Sequence, residues 1–488
     1  VKFIKICSNL PSWIKRLDFI FLVIAVPIVA IFIAIIPPSW GLDEQVHTAR
    51  VYQITDDGMY PTSIGNPHAY GGYISGNLRN VIENGWKSGN NVTGADIHRG
   101  EIFYATGRND SKYDVKKDGL GALPINGGGK VVYAFGATAP YAPVVYLPAA
   151  AGMGVGRLFN ASVNTSLVLS KVGQAIFYLG CIYVALRLLN NSKAKWVIFC
   201  VALFPEAIFQ VATINADVYT NGMVLVFAAT IVRLLQTKAL LSRKLNAVLW
   251  MTSIGLMFTK PSYALAIVLV ILLPASLYKS TKQMNSQKLS ILVACFILFI
   301  LISAKGLQYS DAILMYFTPE KASQISLVGQ IGYIFQQPLE FIITLARTVI
   351  VNSYEWQSGM LGTLGYNVVQ IPYILTVPLI ASTFVAALYG RILTKLRAAA
   401  FIMVGILSAL TVLLLLYGTF NTIGASMIAG VQGRYYIPSI IFILLGLAPI
   451  VGIQIKASKS SFAIPALIIG CVTFTLYSSV IVYSMALF

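Results

Sequence analysis

The chain has 488 residues, of which 57% are hydrophobic and only 11% charged, and its mean hydropathy is +0.76. An ordinary soluble domain is about a quarter charged, so this composition excludes a soluble globular enzyme. Lys and Arg outnumber Asp and Glu by 35 to 17, but such an excess in a membrane protein belongs to cytoplasmic loops rather than to a nucleic-acid surface.

Apolar runs fall at 17–37, 163–189, 195–214, 217–236, 246–260, 262–279, 288–305, 372–390, 398–418, 434–453 and 461–486. A helix of about 20 residues crosses a hydrocarbon core roughly 30 Å thick, so the sequence predicts an all-α polytopic membrane protein with about eleven transmembrane helices. The first run follows basic residues but is longer than a signal-peptide core and has no small-residue cleavage site after it, so it reads as an uncleaved anchor. The N-terminus and the short breaks after the second, fourth, sixth, eighth and tenth runs hold 19 of the 35 basic residues and, apart from Asp18, no acid. By the positive-inside rule all of them are cytoplasmic, and eleven alternating spans place them there, with the C-terminus outside.

That parity requires two further apolar runs, 140–158 and 336–351, to be interfacial or re-entrant. The first begins with Pro140, Pro143 and Pro148 and ends in alternating glycines and Arg157, features that suit a helix lying at the interface. The chain then divides into a cytoplasmic N-terminus and first helix (1–38), a first extracytoplasmic loop with an interfacial helix (39–162), helices 2–7 (163–305), a second extracytoplasmic loop (306–371) and helices 8–11 (372–488). The five cysteines avoid the polar stretch 39–139, so neither a disulfide framework nor a CxxC metal site is encoded.

The first loop carries most of the polar chemistry: all three histidines (His47, His68, His98) and ten of the seventeen acids. A loop of that length is usually functional. A short helix is expected at 43–55, followed by irregular Gly- and Asn-rich structure. Directly after the first span come Asp43, Glu44, His47 and Arg50. On a helix Asp43, His47 and Arg50 share a face, able to hold a general base and a phosphate partner. Helix capping is the plainer reading of Asp43, but it accounts for neither His47 nor Arg50.

Basic residues outside the cytoplasmic breaks form a second set: Arg157, Lys171, Lys260, Lys305, Arg347 and Arg434. Charge inside a membrane is expensive and marks a partner or a ligand. Lys260 ends the fifth span and Arg434 opens the tenth, where a lipid phosphate would lie. Snorkelling, or pairing with Asp217, Glu206 or Glu355, is the alternative. The turn holding Glu206, Asn215 and Asp217 caps a helix or orients the catalytic loop. GGGK at 127–130 and GMGVG at 152–156 lack the context of a nucleotide site.

Several of these motifs, LDEQVH at 42–47, YAPVVYLP from Tyr141, GVGR at 154–157, NADVYTN at 215–221, TKPSY at 259–263, GMLGTLGY at 359–366 and GVQGRYYIP at 430–438, together resemble a family of bacterial polytopic membrane proteins. That family was long carried as a domain of unknown function and looks like a branch of the GT-C glycosyltransferases. The resemblance runs from about residue 17 to 455. It implies a GT-C-like bundle in the bacterial plasma membrane, a polyprenyl-phosphate-linked sugar as donor, and a catalytic acid in the first outer loop, often within an Asp-Glu pair. Asp43 and Glu44 match that pair. Lys171 departs from the pattern, which has arginine, and loses bidentate phosphate geometry.

The resulting expectation is an inverting glycosyltransferase that acts on a glycan or lipid-linked acceptor at the extracytoplasmic face, modifying cell-surface polysaccharide. Asp43 or Glu44 would be the base, while Glu44 and His47 would orient Asp43 or bind a divalent cation. Lys260, Arg434, Gln432, Tyr435 and Arg157 would hold the donor phosphate, with Asn215, Asp217 and Arg50 in support. Tyr52, Tyr70 and Tyr73 would stack on sugar faces. A transporter or flippase for a lipid-linked or anionic substrate would need charges spread along a transmembrane path. A polysaccharide polymerase or ligase tends to carry its large loop late in the chain.

Overall fold

The computed structural model describes residues 16–56, 58–65, 68–91, 119–365, 369–390, 392–455 and 463–487. His98 and the basic residues Lys2, Lys5, Lys15, Arg391, Lys456 and Lys459 lie outside them. In chain order the helices used below are α1 (Leu17–Ile35), α2 (Glu44–Asp56), α3 (Gly76–Asn91), α4 (Leu147–Leu158), α5 (Val163–Leu188), α6 (Lys195–Ala202), α7 (Pro205–Val211), α8 (Asp217–Gln236) and α9 (Arg243–Met257). They continue with α10 (Pro261–Ala264), α11 (Thr281–Leu307), α12 (Leu327–Gln336), α13 (Pro338–Leu361), α14 (Tyr373–Leu388), α15 (Lys395–Phe420), α16 (Ile437–Val451) and α17 (Ala463–Leu487).

The architecture is that of a mostly helical, polytopic membrane protein. Among the described residues seven helices are long and apolar enough to cross a membrane: α1, α5, α8, α11, α15, α16 with its preceding turn, and α17. The pair α12 and α13, bent by 109° where Gln337 meets Pro338, would make an eighth; proline cannot continue the hydrogen-bond ladder of the helix before it. This is where the re-entrant run 336–351 was expected, and it forms a helix of 24 residues.

Four of the eleven expected crossings take shorter or broken form. Run 195–214 splits into α6 and α7 ahead of Pro205. Run 262–279 is the single turn α10 followed by a 3-10 segment, Leu265–Leu272. Helices α9 and α14 have 15 and 16 residues, or about 22–24 Å at 1.5 Å per residue, less than a hydrocarbon core. Helix α8 is the central strut, with 94% of its apolar window buried against 11% for α11.

The basic breaks between runs converge on one end of the bundle. The Lys193 ammonium lies 4.2 Å from the Tyr389 ring, the Leu241 amide donates to the Leu277 carbonyl, and the Ile455 amide donates to that of Leu388. At the same end Arg16 and Arg187 flank Asp18 at 2.6 and 3.8 Å. The described parts of 39–139 lie at the opposite end and are more regular than their composition suggests. Strands β1 (Thr62–Ser63), β2 (Tyr70–Ser75) and β3 (Lys130–Ala134) form an antiparallel sheet with Tyr73 opposite Val132. Helix α3 follows, capped by the Ser75 hydroxyl, which accepts from the Leu78 amide. It buries Leu78, Val81 and Ile82 on one face, the i, i+3, i+4 spacing of an amphipathic helix.

Helix α4 occupies the run expected at the interface and lies against α5. Gly152 and Gly156 serve this packing. A Cβ on Gly152 would meet the Leu169 carbonyl oxygen at 1.9 Å, so only glycine permits that crossing, and the Ser170 hydroxyl donates to the Ala149 carbonyl across it.

With native cysteines removed, a cysteine at exposed Thr62 is expected to react with a membrane-impermeant thiol reagent in intact spheroplasts, and one at exposed Asn191 only after permeabilisation. Equal labelling of both positions would contradict the two-ended charge arrangement.

Candidate functional site

The first turn of α8, the start of α2, the turn before α10 and the turn before α16 meet at the loop-bearing end of the bundle. Asp217 is the hub. Its Oδ1 lies 2.5 Å from Lys260 Nζ and its Oδ2 3.6 Å from Arg434 Nε. Asn215 builds this hub, because its side-chain oxygen accepts from the amides of Asp217 and Val218 at 2.9 and 3.1 Å and so caps α8. The Asn215 amide group in turn donates to the carbonyls of Gln210 and Thr213. The capping expected of the 215–217 turn is thus carried by the Asn215 side chain.

Lys260 precedes Pro261, which starts α10. Its ammonium also lies 4.2 Å from the Tyr435 ring and 5.7 Å from that of Tyr141. Arg434 sits in a 3-10 turn, Gly433–Tyr436, before α16. A Cβ on Gly433 would come within 2.1 Å of the Trp356 carbonyl oxygen, so glycine before Arg434 lets this turn press against α13. Arg434 is 5% exposed, and its Nη2 is 3.5 Å from Asp43 Oδ2. Tyr435 faces both cations, with the Arg434 guanidinium 5.4 Å from its ring, while the Gln432 carbonyl accepts from the Tyr435 amide. The pairing with Asp217 that sequence reading set against a phosphate role is thus present for both cations.

Asp43 and Glu44 have opposite environments. Asp43 has φ +58°, a left-handed conformation that aspartate tolerates better than most residues. Its carbonyl accepts the first helical bonds of α2, from the Val46 and His47 amides, and its side chain stays 41% exposed. The Glu44 side chain is 2% exposed and lies 3.5 Å from Lys171. Its carboxylate accepts from the amides of Gly41 and Ile214, each at 3.0 Å. Glu44 therefore bolts the loop to the turn before α8 and has no room for a substrate.

Of the three residues expected on one face, His47 and Arg50 lie on α2, and Asp43 stands immediately before its first residue. His47 Nδ1 is 2.8 Å from the Tyr146 hydroxyl, and its ring stacks parallel to Tyr141 at 6.2 Å. Burial pushes this imidazole down to about 3; the Asp217 charge opposes the shift, and Arg434 and Lys260 add to it. Arg50, fully buried, donates to Gln53 Oε1 and to the Met59 carbonyl, so it supports the loop rather than the hub.

Arg157 also lies elsewhere. It pairs with Asp56 at 2.5 Å, donates to Thr55 Oγ1 and Asn126 Oδ1, and covers the Tyr52 ring at 4.4 Å. Burial would raise the Asp56 carboxyl, but Lys130 and Arg157 overcome that and hold it below the usual range. Tyr52 is buried in this clamp and Tyr70 meets Tyr309 edge-on at 5.2 Å, which leaves Tyr73 exposed of the three aromatics expected to face sugar. Arg347 donates to the Ser426 carbonyl and Lys305 to Gln308 Oε1. Among the described residues no three His, Cys, Asp or Glu side chains are grouped to hold a metal ion.

Sequence reading missed Tyr141 and Tyr146 as partners of His47 and Lys171 as partner of Glu44. The signal for the tyrosines is present in the proline-bracketed YAPVVYLP, whose two rings stand five residues apart. Tyr141 also lines a cavity of about 380 Å³ whose other walls include Pro140, Phe258, Leu301, Ile302 and Lys305. One aromatic ring thus divides an apolar recess from the charged hub.

Two stability effects follow. Glu44→Ala strands the buried Lys171 charge and two amides, at a cost of about 3–5 kcal/mol, visible as a large drop in the thermal midpoint in detergent. His47 stays neutral in the folded state while the unfolded chain takes up a proton below about 6.5. Folded stability is therefore complete above that pH and falls as pH drops from 6.5 toward 3, by up to about 1.4 kcal/mol per unit. His47→Gln should flatten this part of the pH–stability curve, and an unchanged slope would show that His47 does not produce it.

The sequence pattern of the family described as "Predicted membrane protein (DUF2142)" matches residues 27–445. No curated protein and no solved structure is significantly similar to the chain. The match begins inside α1, contains Asp43, Asp217, Lys260 and Arg434, and ends inside α16, so the chain belongs to the DUF2142 family of membrane proteins.

Proposed function

We propose that this protein is a GT-C-type, inverting glycosyltransferase that moves a sugar from a polyprenyl-phosphate donor to a glycan or lipid-linked acceptor on the extracytoplasmic face of the bacterial plasma membrane. The observation that carries this reading is a half-exposed carboxylate, Asp43, held 3.5 Å from a buried guanidinium that shares Asp217 with Lys260. An apolar recess lies behind Tyr141. A base, two cations for a leaving phosphate and an apolar slot are the parts such a transfer needs.

In the reaction Asp43 takes the proton of an acceptor hydroxyl. That oxygen attacks the anomeric carbon from the face opposite the phosphate, and the anomeric C–O bond breaks through an oxocarbenium-like transition state. The electron pair leaves with the polyprenyl phosphate, whose charge Arg434 and Lys260 meet. Asp217 orients both cations, Tyr435 packs against them, and neutral His47 with Tyr146 fixes Tyr141. Glu44 and Lys171 hold the loop that carries Asp43. The recess beside Tyr141 suits the first part of an isoprenoid chain, with Lys305 at its wall. Tyr73, exposed on β2, is the ring assigned to stack on an acceptor sugar. Because Asp43 and Asp217 both face Arg434, this guanidinium stands where a divalent cation between two acids would otherwise sit.

A screen of radiolabelled polyprenyl-phosphate sugars with reconstituted protein tests the reading. Asp43→Asn is expected to lower turnover by about 10² or more, the range for loss of a general base, without weakening donor binding. Arg434→Ala and Lys260→Ala should each weaken binding of the product polyprenyl phosphate, and the effects should be non-additive because both cations share Asp217 and one ligand. Vectorial movement of a labelled lipid without sugar transfer would favour a flippase instead.

A further inference from the structure

We propose that Asp43 and the donor phosphate use Arg434 in turn, so that arrival of the donor releases Asp43 to face the acceptor; this rests on the transferase reading above. The guanidinium is incompletely satisfied. Its contacts to Asp43 and Asp217, at 3.5 and 3.6 Å, exceed the roughly 2.7–2.9 Å of a charge-assisted hydrogen bond. Among the described residues its buried Nε has no hydrogen-bond partner. Phosphate oxygens accepting from Nε and Nη2 together, in the two-point manner that planar guanidinium favours, would fill the empty donor and take the Nη2 that now faces Asp43.

The surroundings decide which carboxylate yields. Asp43 from the turn before α2, Asp217 from α8 and Glu206 from α7 face Arg434, together with the ring of Tyr435. His47, Lys260, Tyr141, Tyr146 and Tyr263 are the further titratable groups around Asp217. Glu206 is buried and accepts from Gln210 Nε2. Asp217 is 11% exposed and keeps Lys260 at 2.5 Å if Arg434 turns away. Asp43 is 41% exposed, so water can solvate it once it is released. Losing the guanidinium therefore costs Asp43 least, and Asp43 is the partner that exchanges.

The consequence is an order of events. Without donor, Asp43 is turned toward Arg434 and away from an incoming hydroxyl. With donor, the same cation is spent on the leaving group, and the carboxylate becomes available. Base and leaving-group assistance are thereby switched on together, and an acceptor that arrives first meets an occupied base.

The test is equilibrium binding of farnesyl phosphate to the full-length protein in detergent, for wild type, Asp43→Asn, Arg434→Gln and the double variant. Removing the competitor should tighten binding about five- to tenfold when Arg434 is present and less than about twofold when it is glutamine, a coupling within the range of contacting residues. Equal tightening in both backgrounds would mean simple repulsion between Asp43 and phosphate, and no tightening in either would mean no contact; both overturn the exchange while leaving the donor reading intact. Failure of farnesyl phosphate to bind wild type at all would remove the donor reading and the exchange with it. Should Arg434→Gln not fold, the structure of the wild-type complex with farnesyl phosphate decides: Asp43 and Arg434 farther apart than the roughly 4 Å of an ion pair, with Asp217 still on Lys260, supports the exchange, and a retained Asp43 contact refutes it.

Discussion

A carboxylate buried at the end of an apolar bundle stays ionised only if opposite charge stands within a few ångströms of it. Asp217 has two such charges, and the geometry of the whole site follows from keeping them there. Lys260 is fixed by the helix start at Pro261 and by the Tyr435 ring, and the Tyr263 hydroxyl donates to the Tyr435 carbonyl at 2.6 Å. Arg434 is fixed by a turn that fits against α13 only because Gly433 has no side chain. Beneath them, Asn215, Gln210, Asn221 and Glu206 form a chain of hydrogen bonds that joins the short helix α7 to the first turns of α8. The break in run 195–214 is thus what makes room for the hub: an unbroken helix through Pro205 would carry Glu206 and Asn215 past it.

Two adjacent acids take unlike parts because the backbone turns between them. Glu44 is the first residue of α2 and points into the bundle, where two amides and Lys171 consume it. Asp43, in the left-handed region, points back toward Arg434 and solvent. Near-identical side-chain chemistry is sorted by φ alone. The sorting also couples loop to bundle, since the carboxylate that anchors the loop and the carboxylate that faces the cations are neighbours on one chain and cannot move independently.

Membrane class, the mostly helical build and the gathering of the described basic breaks at one end were legible in the sequence because length, hydropathy and charge are sums over local residues. The Asp43–Arg434–Lys260 association was legible too, though only as cations at matching depth beside outlying turns. What could not be read were pairings made by tertiary contact. Lys171 finds Glu44, Arg157 finds Asp56 rather than a phosphate, and β2 finds β3 across a long insertion, all without any local period to announce them. Run 262–279 misled for a related reason, since its unbroken hydropathy says nothing of the tighter 3-10 winding that Leu265–Leu272 adopts. The i, i+4, i+7 argument places His47 and Arg50 on α2, whereas the left-handed backbone of Asp43, one residue before the helix, has no local signal in the sequence.

The left-handed backbone at Asp43 also bears on how this position can vary over evolution. Gly, Asn, Asp and His occupy that region with least strain, whereas Glu and β-branched residues do so at a cost. Of the tolerated set, Gly and Asn carry no basic group and His would set a second imidazole against Arg434. Conformation and chemistry are separate filters, and here they leave nearly the same residue standing. Substitution of Asp43 by its closest chemical relative, glutamate, is therefore a step that the backbone resists, and a lineage that abandoned the carboxylate would pass most easily through asparagine, keeping the fold while surrendering the chemistry proposed for it.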